Sequence, residues 1–214
     1  MEEKVKSVLC LGDSNTYGVD PENSGRFDRF TRWPGRLQLL LGDDYYVIEE
    51  GYNGRTTCFS DASDPCRSAV SVLDMILKTH LPLDLVIIML GTNDFKTQFS
   101  MTAKVSGYGI KKVVDRIRRY CRAENKICPK ILIVSPIMMG DKIGESRFWE
   151  YDERSRAELE KVPSVYREVA SLTDCGFFDA SSVAVPGPDQ LHMTRESHED
   201  LGESLFKVVK EMLG

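Results

Sequence analysis

Apolar, strand-like runs alternate with segments of helical periodicity along the chain, and this alternation constrains the fold more than any other feature. Residues 5–11 and 83–90 are near-continuous apolar runs, and residues 130–134 form a shorter one. Such runs are typical of strands that are covered on both faces of a parallel sheet. Weaker strand candidates are residues 45–48 and 176–178. Because parallel strands need long crossover connections, the pattern predicts an α/β fold with the order βαβαβαβαβα.

The segments between the strands place apolar residues on one helical face. These faces are formed by Ala69, Leu73, Ile76 and Leu77, by Ile110, Val113, Val114, Ile117 and Cys121, and by Leu201, Leu205, Val208 and Met212. Thr194 is a suitable N-cap for the last helix. Right-handed crossovers then predict a three-layer α/β/α sandwich whose five-stranded parallel sheet has the flavodoxin-like order 2-1-3-4-5. Residues 96–107 and 138–151 are predicted as loops at the carboxyl edge of the sheet.

The composition favours one globular domain over residues 1–214. A chain of 214 residues with 42% hydrophobic content can bury a continuous core. Its 28 basic and 33 acidic residues are spread along the chain, which predicts no nucleic-acid partner. No apolar run approaches the roughly 20 residues of a membrane helix, and the first strand begins too early to leave room for a signal peptide. We therefore expect a cytoplasmic protein without a membrane partner.

Six cysteines are scattered along the chain, at positions 10, 58, 66, 121, 128 and 175. They lack the close pairs that zinc sites and redox motifs require. Free cysteines usually behave as small buried apolar residues. We therefore expect reduced thiols, no bound metal and no cofactor.

The end of the first strand carries a serine hydroxyl. The apolar run stops at Gly12 and is followed by Asp13, Ser14 and Asn15. Open α/β sheets bind their ligands at the carboxyl ends of the strands, and a helix start there presents backbone N–H groups to an anion. Ser14 is therefore a candidate nucleophile. Taken alone, the motif is equally compatible with an ordinary strand-to-loop turn, since glycine, aspartate and serine all form turns.

Other polar residues follow the remaining strands at the same edge. Gly54 lies in a glycine-containing segment after the second strand, Asn93 follows the third strand, and Asp189 and His192 precede the last helix. A serine hydroxyl needs a base that titrates near neutral pH, and imidazole suits that task. Of the three histidines, His192 is the one that we expect at the carboxyl edge.

The spacing of these residues suits acyl transfer. Asp189, three residues before His192, can accept the Nδ1 proton, fix the tautomer and stabilise the imidazolium. Attack of the serine on an ester creates an oxyanion that preorganised donors stabilise. The backbone N–H groups of Ser14 and Gly54 and the side-chain amide of Asn93 are candidates for these donors.

Four sequence blocks, taken in order, resemble the SGNH hydrolases, also called GDSL esterases and lipases. The blocks are residues 12–14, Gly54, residues 91–94, and Asp189 with His192. The resemblance covers nearly the whole chain. It implies that Ser14, Asp189 and His192 form a catalytic triad, and that Ser14, Gly54 and Asn93 form the oxyanion hole. It also implies a small-molecule ester as substrate.

Residues 47–51, 55–57 and 80–94 are more narrowly similar to the bacterial arylesterase and acyltransferase branch of that family. The branch acts on short acyl esters and includes oligomeric enzymes that transfer acyl groups to alcohols or peroxide in water. The last block of the family more often reads Asp-Gly-x-His-Pro, whereas this chain has Gln190 and Met193. Neither position carries a proton, so the departure affects loop shape and substrate fit more than the triad.

Two other functions stay open at this point. A carbohydrate or natural-product O-deacetylase would use the same residues and differ in the part of the pocket that holds the alcohol. A non-catalytic flavodoxin-like module would bind a nucleotide or phosphate at residues 12–18. That module lacks a Gly-Lys-Ser/Thr sequence after the first strand, and it leaves Asp189 and His192 without a role.

The predicted loop 138–151 carries three aromatic side chains, Phe148, Trp149 and Tyr151. Large aromatic groups are costly to leave in water, so we expect them in the wall of the substrate pocket or in a contact between subunits. Either position narrows the approach to Ser14. The loop therefore predicts a homo-oligomer, a preference for short acyl groups and acyl transfer to small alcohols.

Overall fold

A five-stranded parallel sheet lies at the centre of the fold. The computed structural model describes residues 5–214, so residues 1–4 of the predicted domain lie outside the described part. The strands are β1 (Lys6–Gly12), β2 (Tyr45–Gly51), β3 (Leu85–Met89), β4 (Lys130–Ser135) and β5 (Gly176–Asp179). Their order is β2-β1-β3-β4-β5, and every neighbouring pair is parallel. The predicted fold and strand order are confirmed.

Helices connect the strands and follow the last one. They are α1 (Ser14–Tyr17), α2 (Trp33–Leu41), α3 (Ala69–His80), α4 (Ala103–Ala123), α5 (Glu153–Leu159), α6 (Val162–Leu172) and α7 (Arg195–Leu213). Short 3₁₀ turns occur at Pro65–Arg67, Thr92–Phe95, Ile143–Glu145 and Ala180–Ser182. The predicted cap of the last helix is confirmed, because Thr194 Oγ1 accepts a hydrogen bond of 3.1 Å from Ser197 N.

Both faces of the sheet are covered, which explains the continuous apolar runs. In β1, Val8 and Cys10 belong to the core beneath α2 and α7. Leu9 and Leu11 point to the opposite core, beneath α3, α4 and α6. All four side chains are fully buried. Because successive side chains of a strand face opposite sides, a strand between two helical layers has no position for a polar residue.

One predicted loop is partly helical. The sequence predicts a loop over residues 96–107, but α4 begins at Ala103, whose N–H donates a hydrogen bond of 2.8 Å to Glu158 Oε2. Gly107 weakens the helical signal in this region. Packing favours glycine at position 107, because a Cβ atom there would lie 2.4 Å from Val165 Cγ1. The predicted loop over residues 138–151 is confirmed apart from the 3₁₀ turn at Ile143–Glu145.

Two expectations from composition can be compared with the structure. Within residues 5–214, no helix is long and apolar enough to cross a bilayer. The six cysteines are free thiols, as predicted.

Candidate active site

A pocket of about 380 Å³ opens at the carboxyl edge of the sheet. Ser14, Gly54, Asn93 and His192 all line it, and each comes from a different part of the chain. Asp189 lies behind His192 and is 9% exposed. The structure therefore brings together the residues that the sequence places at this edge.

Ser14 is presented by a tight turn at the end of β1. Glycine is required at position 12, because a Cβ atom there would lie 1.9 Å from Thr16 Oγ1. Ser14 is the first residue of α1, and the preceding Asp13 accepts a hydrogen bond of 2.9 Å from Asn15 N. Among the described residues, neither the N–H nor the Oγ of Ser14 has a hydrogen-bond partner. Both groups are free to bind a substrate.

His192 and Asp189 are joined by a short, buried hydrogen bond. His192 Nδ1 lies 2.6 Å from Asp189 Oδ2, and Asp189 Oδ1 accepts hydrogen bonds from the backbone N–H groups of Leu191 (3.0 Å) and His192 (2.9 Å). Burial raises the pKa of Asp189, but these hydrogen bonds and the nearby imidazole lower it more, so the pKa lies below its ordinary value. An ionised Asp189 favours the tautomer with the proton on Nδ1. Nε2 is then an acceptor, and it has no partner in the described part of the chain.

Asn15 fixes the loop on both sides of His192. Its Oδ1 accepts a hydrogen bond of 2.9 Å from Met193 N, and its Nδ2 donates one of 3.4 Å to the Leu191 carbonyl oxygen. These two bonds orient the amide and tie the end of β1 to the histidine loop. The sequence predicts no role for Asn15, and its position next to Ser14 is the one signal that points to it. Phe148 supports the ring from the pocket side, with ring centroids 5.5 Å apart and an edge-to-face geometry.

Two of the predicted oxyanion donors are unpaired backbone N–H groups. Gly54 has a φ of 77°, which favours glycine, and its N–H has no acceptor within residues 5–214. The Ser14 N–H is the other. A Cβ atom at Gly54 would lie 2.6 Å from Arg67 Nε, so a larger residue would displace the Arg67 side chain as well as strain the backbone.

The amide of Asn93 lies in a buried polar network beside these groups. Its Nδ2 donates to the Arg55 carbonyl oxygen at 3.1 Å and to Asp13 Oδ2 at 3.3 Å. Its Oδ1 accepts a hydrogen bond of 2.9 Å from the Tyr151 hydroxyl. The carbonyl acceptor on one side fixes which end of the amide carries the protons. Asn93 is therefore held in one orientation at the pocket wall.

Two buried carboxyl groups next to the pocket have raised pKa values. Burial raises the pKa of Asp13 to about 6, although hydrogen bonding and the charges of His192 and Arg55 lower it. Burial likewise raises the pKa of Asp94 to about 6. Asp94 accepts hydrogen bonds from Thr57 N (2.9 Å), Thr57 Oγ1 (2.8 Å) and Ser106 Oγ (2.7 Å). It therefore ties the end of β3 to α4 and to the loop after β2.

The three aromatic residues of loop 138–151 have different positions. Phe148 and Tyr151 lie in the pocket wall, and Tyr151 is 3% exposed. Trp149 is 87% exposed and does not line the pocket, so of its two predicted places the structure leaves the contact between subunits. Tyr151 N donates a hydrogen bond of 3.0 Å to the Phe148 carbonyl oxygen, so residues 148–151 form a turn that has Trp149 at an exposed central position. Its predicted subunit contact stays a prediction.

Charged residues that the sequence does not predict also line the pocket. They are Arg67, Lys96, Arg147 and Glu150. No strand end or motif signals them, because they lie in loops and in the 3₁₀ turn at Pro65–Arg67. Nowhere in the described ranges could a group of three His, Cys, Asp or Glu side chains hold a metal ion.

The other two histidines lie elsewhere. His80 ends α3, and its Nε2 lies 3.0 Å from Glu50 Oε1. His198 is buried in α7, where its Nδ1 accepts a hydrogen bond of 3.3 Å from Trp33 N. Burial, and to a smaller extent the charge of Arg32, lower the pKa of His198 to about 3. His198 is therefore a neutral core residue.

Comparison with known proteins supports the chemistry of this site. The model of the GDSL-like lipase/acylhydrolase family matches residues 10–199. None of the curated proteins matches the chain. This family match disagrees with the alternative of a non-catalytic nucleotide-binding module.

Several solved structures are similar over nearly their whole length. A carbohydrate acetylesterase family member from Sinorhizobium meliloti is 40% identical, with a TM-score of 0.90 over 98% of this chain and 99% of that one. The inhibitor-bound aryl esterase of M. smegmatis is 37% identical, with a TM-score of 0.92 over 97% of this chain and 100% of that one. Est24, a carbohydrate acetylesterase from S. meliloti, is 33% identical, with a TM-score of 0.88 over 97% and 100% of the two chains. The chain therefore belongs to the GDSL-like lipase/acylhydrolase family, the SGNH hydrolases, and is a carboxylic ester hydrolase.

Proposed function

We propose that the protein hydrolyses short-chain, acetyl-type esters through an acyl-enzyme on Ser14. The observation that carries this proposal is the 2.6 Å bond between His192 and Asp189, in a pocket that also holds the unpaired hydroxyl of Ser14. The bond leaves His192 Nε2 free to act as the base. Hydrogen bonds between nucleophile and base are often long without substrate and tighten in the complex, so the free Oγ fits this role.

The proposed reaction has two half-reactions. Ser14 Oγ attacks the ester carbonyl while His192 Nε2 takes its proton, and Asp189 stabilises the imidazolium. Collapse of the tetrahedral intermediate breaks the bond to the alcohol oxygen, which receives the proton from Nε2. Water then attacks the acyl-enzyme and gives a proton to His192 Nε2. The bond between the acyl carbon and Ser14 Oγ breaks, His192 returns the proton to Oγ, and the acid leaves.

The proposed oxyanion hole consists of the N–H groups of Ser14 and Gly54 and the amide of Asn93. The two backbone donors are unpaired within the described residues, which supports this role. The Asn93 Nδ2 already has two acceptors, but the contact of 3.3 Å to Asp13 is long for a hydrogen bond. We expect the oxyanion to share this proton, because the long contact to Asp13 holds it only weakly.

The pocket wall supports a preference for short acyl groups. Phe148 and Tyr151 narrow the space beside Ser14, and the whole pocket holds about 380 Å³. Partial exclusion of water by these aromatic rings would let a small alcohol compete for the acyl-enzyme, so acyl transfer accompanies hydrolysis in this proposal.

A carbohydrate or natural-product O-deacetylase is the second candidate. Two of the similar structures are carbohydrate acetylesterases, and polar residues such as Ser24 and Asn53 line the pocket. An alcohol with many hydroxyl groups, such as a sugar, needs polar side chains of this kind as hydrogen-bond partners.

One set of assays separates these functions. A fluorophosphonate probe should label the wild type and not Ser14→Ala. A panel of p-nitrophenyl esters from acetate to palmitate, run beside acetylated sugars, should show fastest turnover of acetate esters. Equal rates in Ser14→Ala would contradict the mechanism, and faster cleavage of palmitate would contradict the short-acyl preference. Faster deacetylation of a sugar than of an aryl acetate would favour the second candidate.

The proposed enzyme is a homo-oligomer in the cytoplasm. The free thiols fit a reducing compartment. The exposed indole of Trp149, beside the pocket-lining Phe148, is suited to bury itself against a second copy of the chain. Light scattering should give more than one subunit for the wild type and fewer for Trp149→Ala. A monomeric wild type would contradict the assembly.

A further inference from the structure

The pocket around Ser14 is lined by three cationic side chains and one carboxylate, namely Arg67, Lys96, Arg147 and Glu150. We propose that its acyl side binds an acyl group that ends in a carboxylate, with Lys96 as the counter-ion. The inference rests on the proposed esterase function and adds a substrate class to it, the half-esters of short dicarboxylic acids.

Lys96 has a largely buried side chain whose ammonium makes no hydrogen bond within the described residues. Its side chain is 9% exposed, and its nearest carboxylate oxygens are Glu150 Oε1 at 3.8 Å and Asp61 Oδ2 at 3.9 Å. Both distances exceed hydrogen-bond length, and Lys96 Nζ donates to no group in residues 5–214. The ammonium therefore has hydrogen-bond donors to offer, and a ligand that supplies acceptor oxygens would form charge-assisted hydrogen bonds with it.

The neighbouring carboxylates leave this donor capacity unused. Asp61 is already engaged, because its Oδ2 accepts a hydrogen bond of 2.7 Å from Arg67 Nη1, and its Oδ1 accepts from Ser63 N (3.0 Å) and Ser63 Oγ (2.7 Å). Glu150 is more exposed, with 27% of its side-chain surface accessible. Burial lowers the pKa of Lys96, as does the charge of Arg67, whereas the two carboxylates raise it. A bound anion would stabilise the ammonium further.

Arg67 offers a second unused donor beside the reacting carbonyl. Its Nε is buried and has no acceptor among the described residues. A Cβ atom at Gly54 would lie only 2.6 Å from this nitrogen, so Arg67 Nε lies next to a proposed oxyanion donor. Arg67, next to the proposed oxyanion hole, and Lys96 therefore both line the pocket.

The acyl and alcohol sides of the pocket follow from the chemistry. The leaving alcohol must receive its proton from His192 Nε2, so it leaves on the side of His192 and Phe148. The acyl chain therefore extends away from His192. We place Lys96 on that side, because its Nζ lies 3.9 Å from Asp61 Oδ2, which accepts a hydrogen bond from Arg67, the neighbour of Gly54.

The test compares esters of equal carbon number and equal leaving group. Mono-p-nitrophenyl succinate is paired with p-nitrophenyl butyrate, and mono-p-nitrophenyl glutarate with p-nitrophenyl valerate. Rates measured with Ser14→Ala are subtracted, since the half-esters also hydrolyse without enzyme. In the wild type, we expect kcat/KM for at least one half-ester to exceed that of its partner by about tenfold, the size of one hydrogen bond to a charged group.

Four variants test the role of Lys96. Lys96→Met keeps the length of the side chain and removes its charge. It should lower the ratio of kcat/KM for the half-ester to kcat/KM for its partner to one or below, while the acetate ester is still cleaved. Lys96→Arg should keep the preference. Lys126→Met, at an exposed position outside the pocket, should behave as the wild type. Glu150→Gln removes the competing carboxylate and should raise the ratio, and it serves as the deciding variant if Lys96→Met does not fold.

The outcomes are distinct. The proposal is overturned if, in the wild type, kcat/KM for neither half-ester exceeds that for its uncharged partner. It is also overturned if Lys96→Met leaves this ratio of kcat/KM values unchanged. If Lys96→Met does not fold, an unchanged ratio in Glu150→Gln overturns it. In those cases cleavage of p-nitrophenyl acetate still supports the esterase function. A wild type that cleaves no acetate ester and takes no fluorophosphonate label overturns the esterase function itself.

Discussion

The Tyr151 hydroxyl donates a hydrogen bond of 2.9 Å to Oδ1 of Asn93, and both side chains are buried at the wall of the pocket. A hydrogen bond to the oxygen of an amide polarises the group and makes its N–H protons better donors. Tyr151 is therefore suited to position and strengthen the proposed oxyanion donor without touching the substrate's reacting atoms.

Tyr151→Phe removes this hydrogen bond and keeps the ring. We expect kcat to fall about tenfold with little change in KM, since the oxyanion exists only in the transition state. Asn93→Ala should cost more, about 10² to 10³ in kcat. Steady-state kinetics on p-nitrophenyl acetate measures both effects.

Tyr45→Phe is the matched control for Tyr151→Phe. The Tyr45 hydroxyl also donates one hydrogen bond of 2.9 Å, to the carbonyl oxygen of Gly214, but it lies far from the pocket residues in the structure. The Tyr45→Phe variant should therefore have the kcat of the wild type. A Tyr151→Phe enzyme whose loss lies in KM would place Tyr151 in substrate binding instead.

Asn15→Ala should misplace His192. The substitution removes the hydrogen bonds to Leu191 and Met193 that fix the histidine loop. We expect kcat to fall by about 10-fold to 100-fold, as small displacements of a catalytic group are costly. The second-order rate of fluorophosphonate labelling should fall in parallel, because the same base activates Ser14 in both reactions. A lowered melting temperature with unchanged labelling would show that Asn15 serves stability alone.

The sequence predicts the fold well because its signals are local. Apolar runs and helical periodicity depend on the residues of each segment, and the parallel order then places every strand end at one edge. Ser14, Gly54, Asn93 and His192 could be predicted for the same reason, since each follows a strand or precedes the last helix.

The rest of the pocket depends on contacts between distant segments. Tyr151 lies 58 residues from Asn93, and Asn15 lies 178 residues from Met193. No periodicity fixes the path of loop 138–151, so Phe148 and Trp149 are indistinguishable until the loop is seen packed against His192. The helical start of α4 is missed for the same reason, because its first N–H is capped by the distant Glu158.

Asp189→Asn should abolish most of the turnover. An amide at this position accepts only through its oxygen and no longer stabilises the imidazolium, so His192 loses both its tautomer and its charge partner. Where a triad depends on the tautomer, the loss reaches about 10⁴-fold in kcat. Asp179→Asn is the matched control, since Asp179 bonds Ser135 and Ser181 at the end of β5. An Asp189→Asn enzyme with normal kcat would mean that another group orients His192.

Asp94 should make the stability of the protein depend on pH between about 4 and 6. Burial raises its pKa from the ordinary 3.8 to about 6, so in this window the folded protein holds a proton that the unfolded chain has lost. The free energy of unfolding therefore falls as the pH rises, by at most about 1.4 kcal/mol per pH unit from this group. His198 acts in the opposite direction, because its pKa is lowered to about 3, so the wild-type curve alone does not isolate Asp94. We therefore compare the free energy of unfolding of the wild type with that of Asp94→Asn, measured with urea at pH 4, 5, 6 and 7. The difference between the two free energies should fall as the pH rises, and a difference that does not change with pH would contradict the raised pKa.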